Sequence, residues 1–377
     1  GLTTTGATIL DDIEGRLSAP LHMWRMATHW LGGLGIVVLF VALMPGWGVG
    51  SKRLFQSEAA GPQTGGISPR IRDTAKTLLL IYCSITVVLI GALWAAEMPL
   101  FDAVTHSFST IATGGFSIKN GSVGEYNNLA IELTILAGML LAGTNFALFH
   151  RFKTEGYGVF WRTPEFRVYV LLVAGATLLI TSDMLINATH GLGEALRYSS
   201  FQVVAIMTGT GFGTADYEQW STLSRSLLLM LYFCGGMAGS TTGSMKLIRI
   251  MIIVKVVLHE IRLGFRPTLV APIRLGGSTV AETVVRGTLA YALIFVATVV
   301  IGAMAVAALD PVDLTTALMA SLACVANVGP GLGAVGPTDN YGFFSDGSKV
   351  ILSFCMLLGR LEFFSLLSLF VPSFWRR

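Results

Sequence analysis

Charge is scarce in this chain. Only 12% of its 377 residues are Asp, Glu, Lys or Arg, about half the ~25% of an ordinary soluble domain, and the mean hydropathy is +0.69. That excludes a conventional water-soluble fold. Cysteine is scarce too: Cys83, Cys234, Cys324 and Cys355 lie far apart inside apolar runs. They lack the paired spacing of a zinc site or disulfide framework and read as small buried hydrophobes. The histidines at 22, 29, 106, 150, 190 and 259 are dispersed, and His29 is expected at a helix entrance. No Ser/His/Asp set is present, and "GGMAGSTTGSMK" (235–246) lacks the G-x-x-x-x-G-K-[ST] order of a phosphate loop. An enzyme needs titratable groups clustered at one depth. These absences therefore speak against an enzyme, a cofactor and a nucleic-acid partner. The opening "GLTTTGATIL" has neither an initiator Met nor the charged and apolar regions of a signal peptide; a truncation is expected, with part of the native protein upstream.

What the chain has in abundance is apolar length. The runs 24–44, 77–94, 129–149, 167–186, 286–309 and 349–371 come near the ~20 residues that span a bilayer, which predicts an all-α polytopic membrane protein. Charges alternate in sign between the runs. Segments 45–76, 150–167, 245–286 and 372–377 hold 18 basic and six acidic residues, whereas 11–25, 95–132, 183–225 and 310–349 hold six basic and 15 acidic ones. The positive-inside rule places the first set in the cytoplasm. The other face is then negative and concentrates cations.

Four Gly-containing polar stretches recur: "TTTGAT" (3–8), "IATGGFS" (111–117), "MTGTGFGT" (207–214) and "ANVGPGLG" (326–333). Aligned on Thr5-Gly6, Thr113-Gly114, Thr210-Gly211 and Val328-Gly329, they repeat at a loose period near 100 residues. The last three follow apolar runs at 100–111, 192–207 and 314–326, which are too short to cross a membrane and are expected to dip in as half-helices. Non-helical backbone at that depth is tolerated only where protein surrounds it or it lines a wet cavity. Four such loops around one axis would present backbone carbonyls to a shared centre, where they replace an ion's hydration shell. The units predicted are 1–50, 70–150, 163–258 and 280–377, the first incomplete: it lacks its outer span and short helix, so the chain as it stands is not expected to close a pore.

Two further features interrupt apolar spans. Residues 224–234 are helical in character but short, 235–244 hold four glycines, and an apolar helix resumes over 245–258. Broken helices of this kind recur at ion sites; a kink packed closely on a neighbour is the alternative. Arg360 lies near the middle of 349–371, where a charge costs at least ~2.5–3.5 kcal/mol and must face protein or water. Glu362 is two residues away and on another helical face, so capping of carbonyls in the 235–244 loop is the better structural role. Asn145 and Glu132 read as interhelical hydrogen-bonding residues.

The chain resembles the Trk/Ktr/HKT superfamily of potassium uptake proteins, most of all the bacterial Trk type. The resemblance runs over its whole length: "TTTGAT" followed by "THWLGGLGIVVLF" (28–40), "STIATGGFS" (109–117), "TGTGFGTADY" (208–217), "GGMAGSTTGSMKLIR" (235–249) and "GRLEFFSLLSLFVPSFWR" (359–376). It implies four membrane–pore-loop–membrane units around a pseudo-fourfold pore, gated K⁺ uptake, and no cofactor beyond the transported ion. It implies a selectivity filter of Thr4, Thr5, Gly6, Ala112, Thr113, Gly114, Gly209, Thr210, Gly211, Asn327, Val328 and Gly329. Members with Ser at the first-unit Gly tend towards Na⁺, so Gly6 favours K⁺, with Rb⁺ and Na⁺ as further cations. The implied gate is a flexible loop at Gly235, Gly236, Gly239, Ser240, Thr241, Thr242, Gly243 and Lys246, together with Arg360. A homodimer in the cell inner membrane and a cytoplasmic nucleotide-binding ring partner at 246–286 complete the picture. The alternative is a K⁺ transporter coupled to H⁺ or Na⁺. Such transporters often use inverted repeats, whereas these units run parallel.

Overall fold

The computed structural model describes residues 1–43, 71–266 and 272–375. Most of the expected cytoplasmic segment 45–76, the end of the first apolar run at Met44, the end of the first unit, residues 267–271 and Arg376 and Arg377 lie outside them.

The first unit contributes α1 (Ala19–Leu43). The second runs from α2 (Ile71–Ala95) through the short α3 (Leu100–Ile111) to α4 (Leu129–Ala142) and α5 (Phe146–Glu155). The third has α6 (Pro164–Ile186), α7 (Leu192–Met207), α8 (Thr222–Leu231) and α9 (Leu247–Phe265). The fourth has α10 (Glu282–Leu309), α11 (Leu314–Val325), α12 (Asp346–Arg360) and α13 (Phe364–Leu367), which runs on into a 3₁₀ turn. A hairpin of two short strands, Arg274–Leu275 and Ser278–Thr279, is the one departure from all-α among the described residues.

Length and apolarity make α2, α6 and α10 single spans. The outward faces carry residues such as Val88 (70% exposed), Leu171 (70%) and Ile301 (66%), as lipid-facing helices must, while the short helix α3 buries Thr105, Ser107, Ser109 and Thr110. Polarity is therefore inside. Each inner helix after a short helix starts on a side-chain cap, Asn128, Ser221 or Ser345, which satisfies otherwise orphan N–H groups. Outer helices reach across to these starts. Asp183 accepts from the hydroxyls of Ser221 and Ser224, and Asp310 accepts from the Ser345 N–H at 3.1 Å.

The expectation of one broken inner helix is too low. Besides the gap between α8 and α9, the run 129–149 bends by 87° between α4 and α5, and 349–371 bends by 108° after α12; α1 also leaves helical geometry at Gly35 (φ 72°, ψ 160°). The α4/α5 break is a close approach: a Cβ on Gly143 would sit 2.5 Å from the Tyr169 hydroxyl. Asn145 caps α5 through Ala147 N–H (2.8 Å) instead of bridging helices. Glu132 does bridge, as a bidentate ion pair with Arg197 of α7 at 2.7 Å. Of the cysteines, Cys324 and Cys355 are buried and Cys83 and Cys234 half-buried, all free.

Candidate functional site

The three short helices end identically. After Ala112, Thr208 and Ala326 the chain turns left-handed at Thr113 (φ 52°), Gly209 (66°) and Asn327 (54°). The next N–H then bonds a carbonyl five residues back: Gly114 to Ser109 (2.9 Å), Thr210 to Ala205 (2.8 Å) and Val328 to Ala323 (2.9 Å). This is a Schellman cap. It fixes where each following segment begins, and Thr4 (φ 51°) occupies the same place in the first unit.

Two residues later every unit turns left-handed again, at Gly6 (76°), Gly115 (76°), Gly211 (72°) and Gly329 (93°). A Cβ on Gly6 would stand 2.3 Å from the Gly114 carbonyl oxygen, one on Gly115 1.8 Å from that of Thr210, one on Gly211 2.1 Å from that of Val328, and one on Gly329 2.4 Å from that of Thr5. The contacts run from unit one to two, three, four and back to one. The four segments close a ring in which each third-position glycine abuts the second-position carbonyl of the next unit.

The ring sets the register. Its triplets are Thr4-Thr5-Gly6, Thr113-Gly114-Gly115, Gly209-Thr210-Gly211 and Asn327-Val328-Gly329, so the expected second triplet, Ala112-Thr113-Gly114, is one residue early. Alignment on a Thr-Gly pair misled because the second unit has glycine at both later positions; Ala112 belongs to the end of α3 as its C-cap. At the third position crowding adds to the left-handed φ in requiring glycine. A left-handed φ costs a side chain only ~1–2 kcal/mol, and Thr4, Thr113 and Asn327 accept it. At the first-position Gly209 the nearest atom to a Cβ is 3.4 Å away, which is ordinary contact.

Tyrosine hydroxyls brace the fourth segment: Tyr341 donates to Gly329 O (2.6 Å), Tyr232 to Pro330 O (2.6 Å) and Tyr217 to Gly331 O (3.0 Å). Nothing in their spacing announces this. The acidic loops join around the same circle. Lys119 pairs with Glu14 (2.8 Å), Gly124 N–H bonds Gly213 O (3.0 Å), Tyr341 N–H bonds Thr8 O (2.8 Å), and Gly333 N–H bonds Glu218 (2.7 Å). The Lys119 ammonium holds Glu14 below the usual carboxylate range, the Gly15 N–H does so for Asp12, and the Thr316 hydroxyl does so for Asp313. This face is therefore anionic at neutral pH.

Against the ring packs the 235–246 loop. The loop is a closed hairpin, buried except at Gly239 and Ser240. Gly235 N–H bonds Met245 O (2.8 Å) and Leu247 N–H bonds Gly236 O (3.1 Å); Thr242 Oγ1 accepts from Gly236 N–H (3.1 Å). The broken α4/α5 helix offers its freed carbonyls here, Gly143 O to Met237 N–H (2.9 Å) and Ala142 O to Thr241 N–H (3.4 Å), and Gly239 O accepts from Phe146 N–H (3.0 Å). Glu165 of α6 accepts from Ala238 N–H (2.8 Å). The Lys246 ammonium folds back onto Thr242 O and, at 3.3 Å, Ser240 O. A Cβ on Gly243 would lie 2.5 Å from Ala326 O.

Thr241 is the junction. Its hydroxyl donates to Ile111 O (3.0 Å) at the end of α3, while its carbonyl accepts from the ring residue Thr113 (3.1 Å) and from Arg360 (2.7 Å). Arg360 stands at the end of α12, at the break and not in mid-span, and also donates to Gly32 O (2.6 Å) and Gly33 O (3.0 Å) of α1. Carbonyl capping, the structural role expected for it, is what it does. Glu362 pairs with Arg249 of α9, and Arg249 also lies 4.0 Å over the Tyr291 ring; the sequence reading missed this pair. His29, expected at a helix entrance, is fully buried inside α1.

Half-helices that dip, turn on a Schellman cap and return through a shared ring define the class: a polytopic helical membrane protein of pore-loop units. The TrkH family model, described as a cation transport protein, matches residues 1–377, and the chain belongs to that family. It is 40% identical over 386 residues to the Trk system potassium uptake protein TrkH of Salmonella typhimurium, with 100% of this chain and 78% of the relative covered. It is 32% identical to TrkG of Escherichia coli, covering 100% and 77%. The crystal structure of the potassium transporter TrkH from Vibrio parahaemolyticus superposes with a TM-score of 0.87 at 35% identity, over 99% of this chain and 77% of that one.

The two glycine types of the third unit separate crowding from φ. Gly211→Ala is expected to lower the thermal unfolding midpoint in detergent steeply, and Gly209→Asn to leave it nearly unchanged. Equal shifts would contradict the ring contacts.

Proposed function

We propose that this chain takes up K⁺ across the cell inner membrane, with the ring as a carbonyl-lined selectivity filter. The observation that carries the proposal is the cyclic set of glycine–carbonyl contacts, which is what four filter segments facing one axis require. The filter residues are Thr4, Thr5 and Gly6; Thr113, Gly114 and Gly115; Gly209, Thr210 and Gly211; and Asn327, Val328 and Gly329. Carbonyl oxygens there replace the hydration shell of the ion, and the anionic loops raise cation concentration at the mouth. The relatives' names, potassium uptake proteins, supply the substrate. The units are 1–50, 70–150, 163–258 and 280–377.

The gate is the loop holding Gly235, Gly236, Gly239, Ser240, Thr241, Thr242, Gly243 and Lys246, with Arg360 beside it. Thr241 O takes a filter hydroxyl and the Arg360 guanidinium at once. The loop therefore cannot leave without releasing both, and a fixed positive charge on the ion's path repels K⁺ until it moves. A homodimer and a cytoplasmic nucleotide-binding ring partner docked at 246–286 are part of the same reading.

The test is flux into liposomes holding the full-length protein. K⁺ and Rb⁺ are expected to pass well ahead of Na⁺ and Li⁺, down their gradients and with no proton requirement. Flux that needs an H⁺ or Na⁺ gradient would make the ring a binding site in a coupled transporter instead. Arg360→Ala is expected to raise K⁺ flux several-fold; unchanged flux in a folded protein would remove Arg360 from the gate.

A further inference from the structure

The ring is asymmetric at its second position. Three units place a side chain there, and Thr5, Thr210 and Val328 are all buried. The second unit has Gly114, and the space behind it is not empty: a Cβ on Gly114 would lie 2.2 Å from Nδ1 of His29 and 2.5 Å from its Cγ. An imidazole from the first unit's helix stands where the other segments carry their own side chains.

That imidazole is held on several sides. It stacks on Phe116, three residues beyond Thr113, at 4.0 Å and 11° from parallel. Its Nδ1 is 3.1 Å from Ser109 Oγ, and the Ser109 carbonyl is the one that caps Gly114 N–H. One turn earlier on α1, the Arg25 guanidinium lies 3.7 Å from the Phe116 centroid and donates to Ser117 O (2.8 Å) and Thr8 Oγ1 (3.2 Å). His29 Nε2 is buried with no hydrogen-bond partner among the described residues. A proton relay needs bonds at both nitrogens, so the geometry favours a packing role.

We propose that His29 is a selectivity-determining positioning residue: it supplies in trans the buttress that Thr5, Thr210 and Val328 supply to their own segments. The consequence passes through one carbonyl. Gly114 O is the atom that Gly6 abuts, so the imidazole behind Gly114 sets how far that oxygen sits from the axis. Protein interiors are close-packed and transmit such displacements, and carbonyl placement tunes K⁺ against Na⁺. The inference rests on the filter reading above. It adds that the filter's second unit is completed by the first unit's helix.

The test is the K⁺/Na⁺ flux ratio of the full-length protein in liposomes, with four variants and Gly329→Ala as a control. His29→Ala is expected to lower the ratio several-fold while K⁺ flux persists. His29→Phe keeps the flat ring and the stack without Nδ1, and is expected to retain the parental ratio. Gly114→Thr alone collides with the imidazole and is expected to lose flux. The double variant His29→Ala/Gly114→Thr gives the second unit a side chain like those of Thr5 and Thr210, and is expected to recover both flux and ratio. It also answers the question should His29→Ala fail to fold. A double variant no better than Gly114→Thr overturns the inference. So does an unchanged ratio in His29→Ala while Gly329→Ala shifts it, and the filter reading then stands. If neither His29→Ala nor Gly329→Ala moves the ratio, the filter reading itself fails.

Discussion

Four glycines pressed against four neighbouring carbonyl oxygens hold this architecture to one geometry. A Cβ at any of Gly6, Gly115, Gly211 or Gly329 would stand 1.8–2.4 Å from the next unit's oxygen. No rotamer relieves a backbone–backbone collision, so the spacing of the units is fixed by the absence of a side chain. The short helices exist to deliver those glycines. Each ends in the same cap, which sets the direction of the descending segment, and each is buried towards that end, where its polar groups must be satisfied by protein. The outer loops then repeat the ring's cyclic order on the anionic face.

The inner helices supply what the ring needs from the other side. Breaking a helix at membrane depth frees carbonyls that must find donors. The α4/α5 break gives Ala142 O and Gly143 O to the 235–246 loop, while Arg360 covers Gly32 O and Gly33 O of α1 and Thr241 O of the loop. These bonds offset the cost of holding a guanidinium at this depth, which is at least ~2.5–3.5 kcal/mol. In the proposed gate, the same charge that completes this backbone network is the one that bars a cation. The Arg249–Glu362 pair ties α9, downstream of the loop, to the break beside Arg360, so the two parts of the proposed gate share a support.

Much of this was legible in the sequence because lipid imposes strict rules. Apolar runs of spanning length, runs too short to span, and Gly-rich stretches after them located the short helices 100–111 and 192–207 at the ends the structure gives them. What was not legible depended on distance in space. A Thr-Gly match cannot say which of two glycines, Gly114 or Gly115, meets the neighbouring carbonyl. The bends after Gly143 and after Arg360 fall inside runs whose hydropathy is continuous, since hydropathy reports solvent and not direction. His29, Tyr217 and Tyr232 act on residues from other units, and Glu165 acts on Ala238, 73 residues away in its own; no local pattern encodes either. Glu362 found its partner 113 residues away, although Arg360 was the charge nearest in the sequence.

The central claim is that the four segments hold a dehydrated monovalent cation at their common centre. The measurement that tests it most directly is anomalous diffraction from crystals of the full-length protein grown in Rb⁺. Density is expected on the axis, enclosed by the carbonyl oxygens of Thr5, Gly114, Thr210 and Val328. Well-ordered ring density with no anomalous peak on the axis, or with the ion bound only elsewhere, would contradict it.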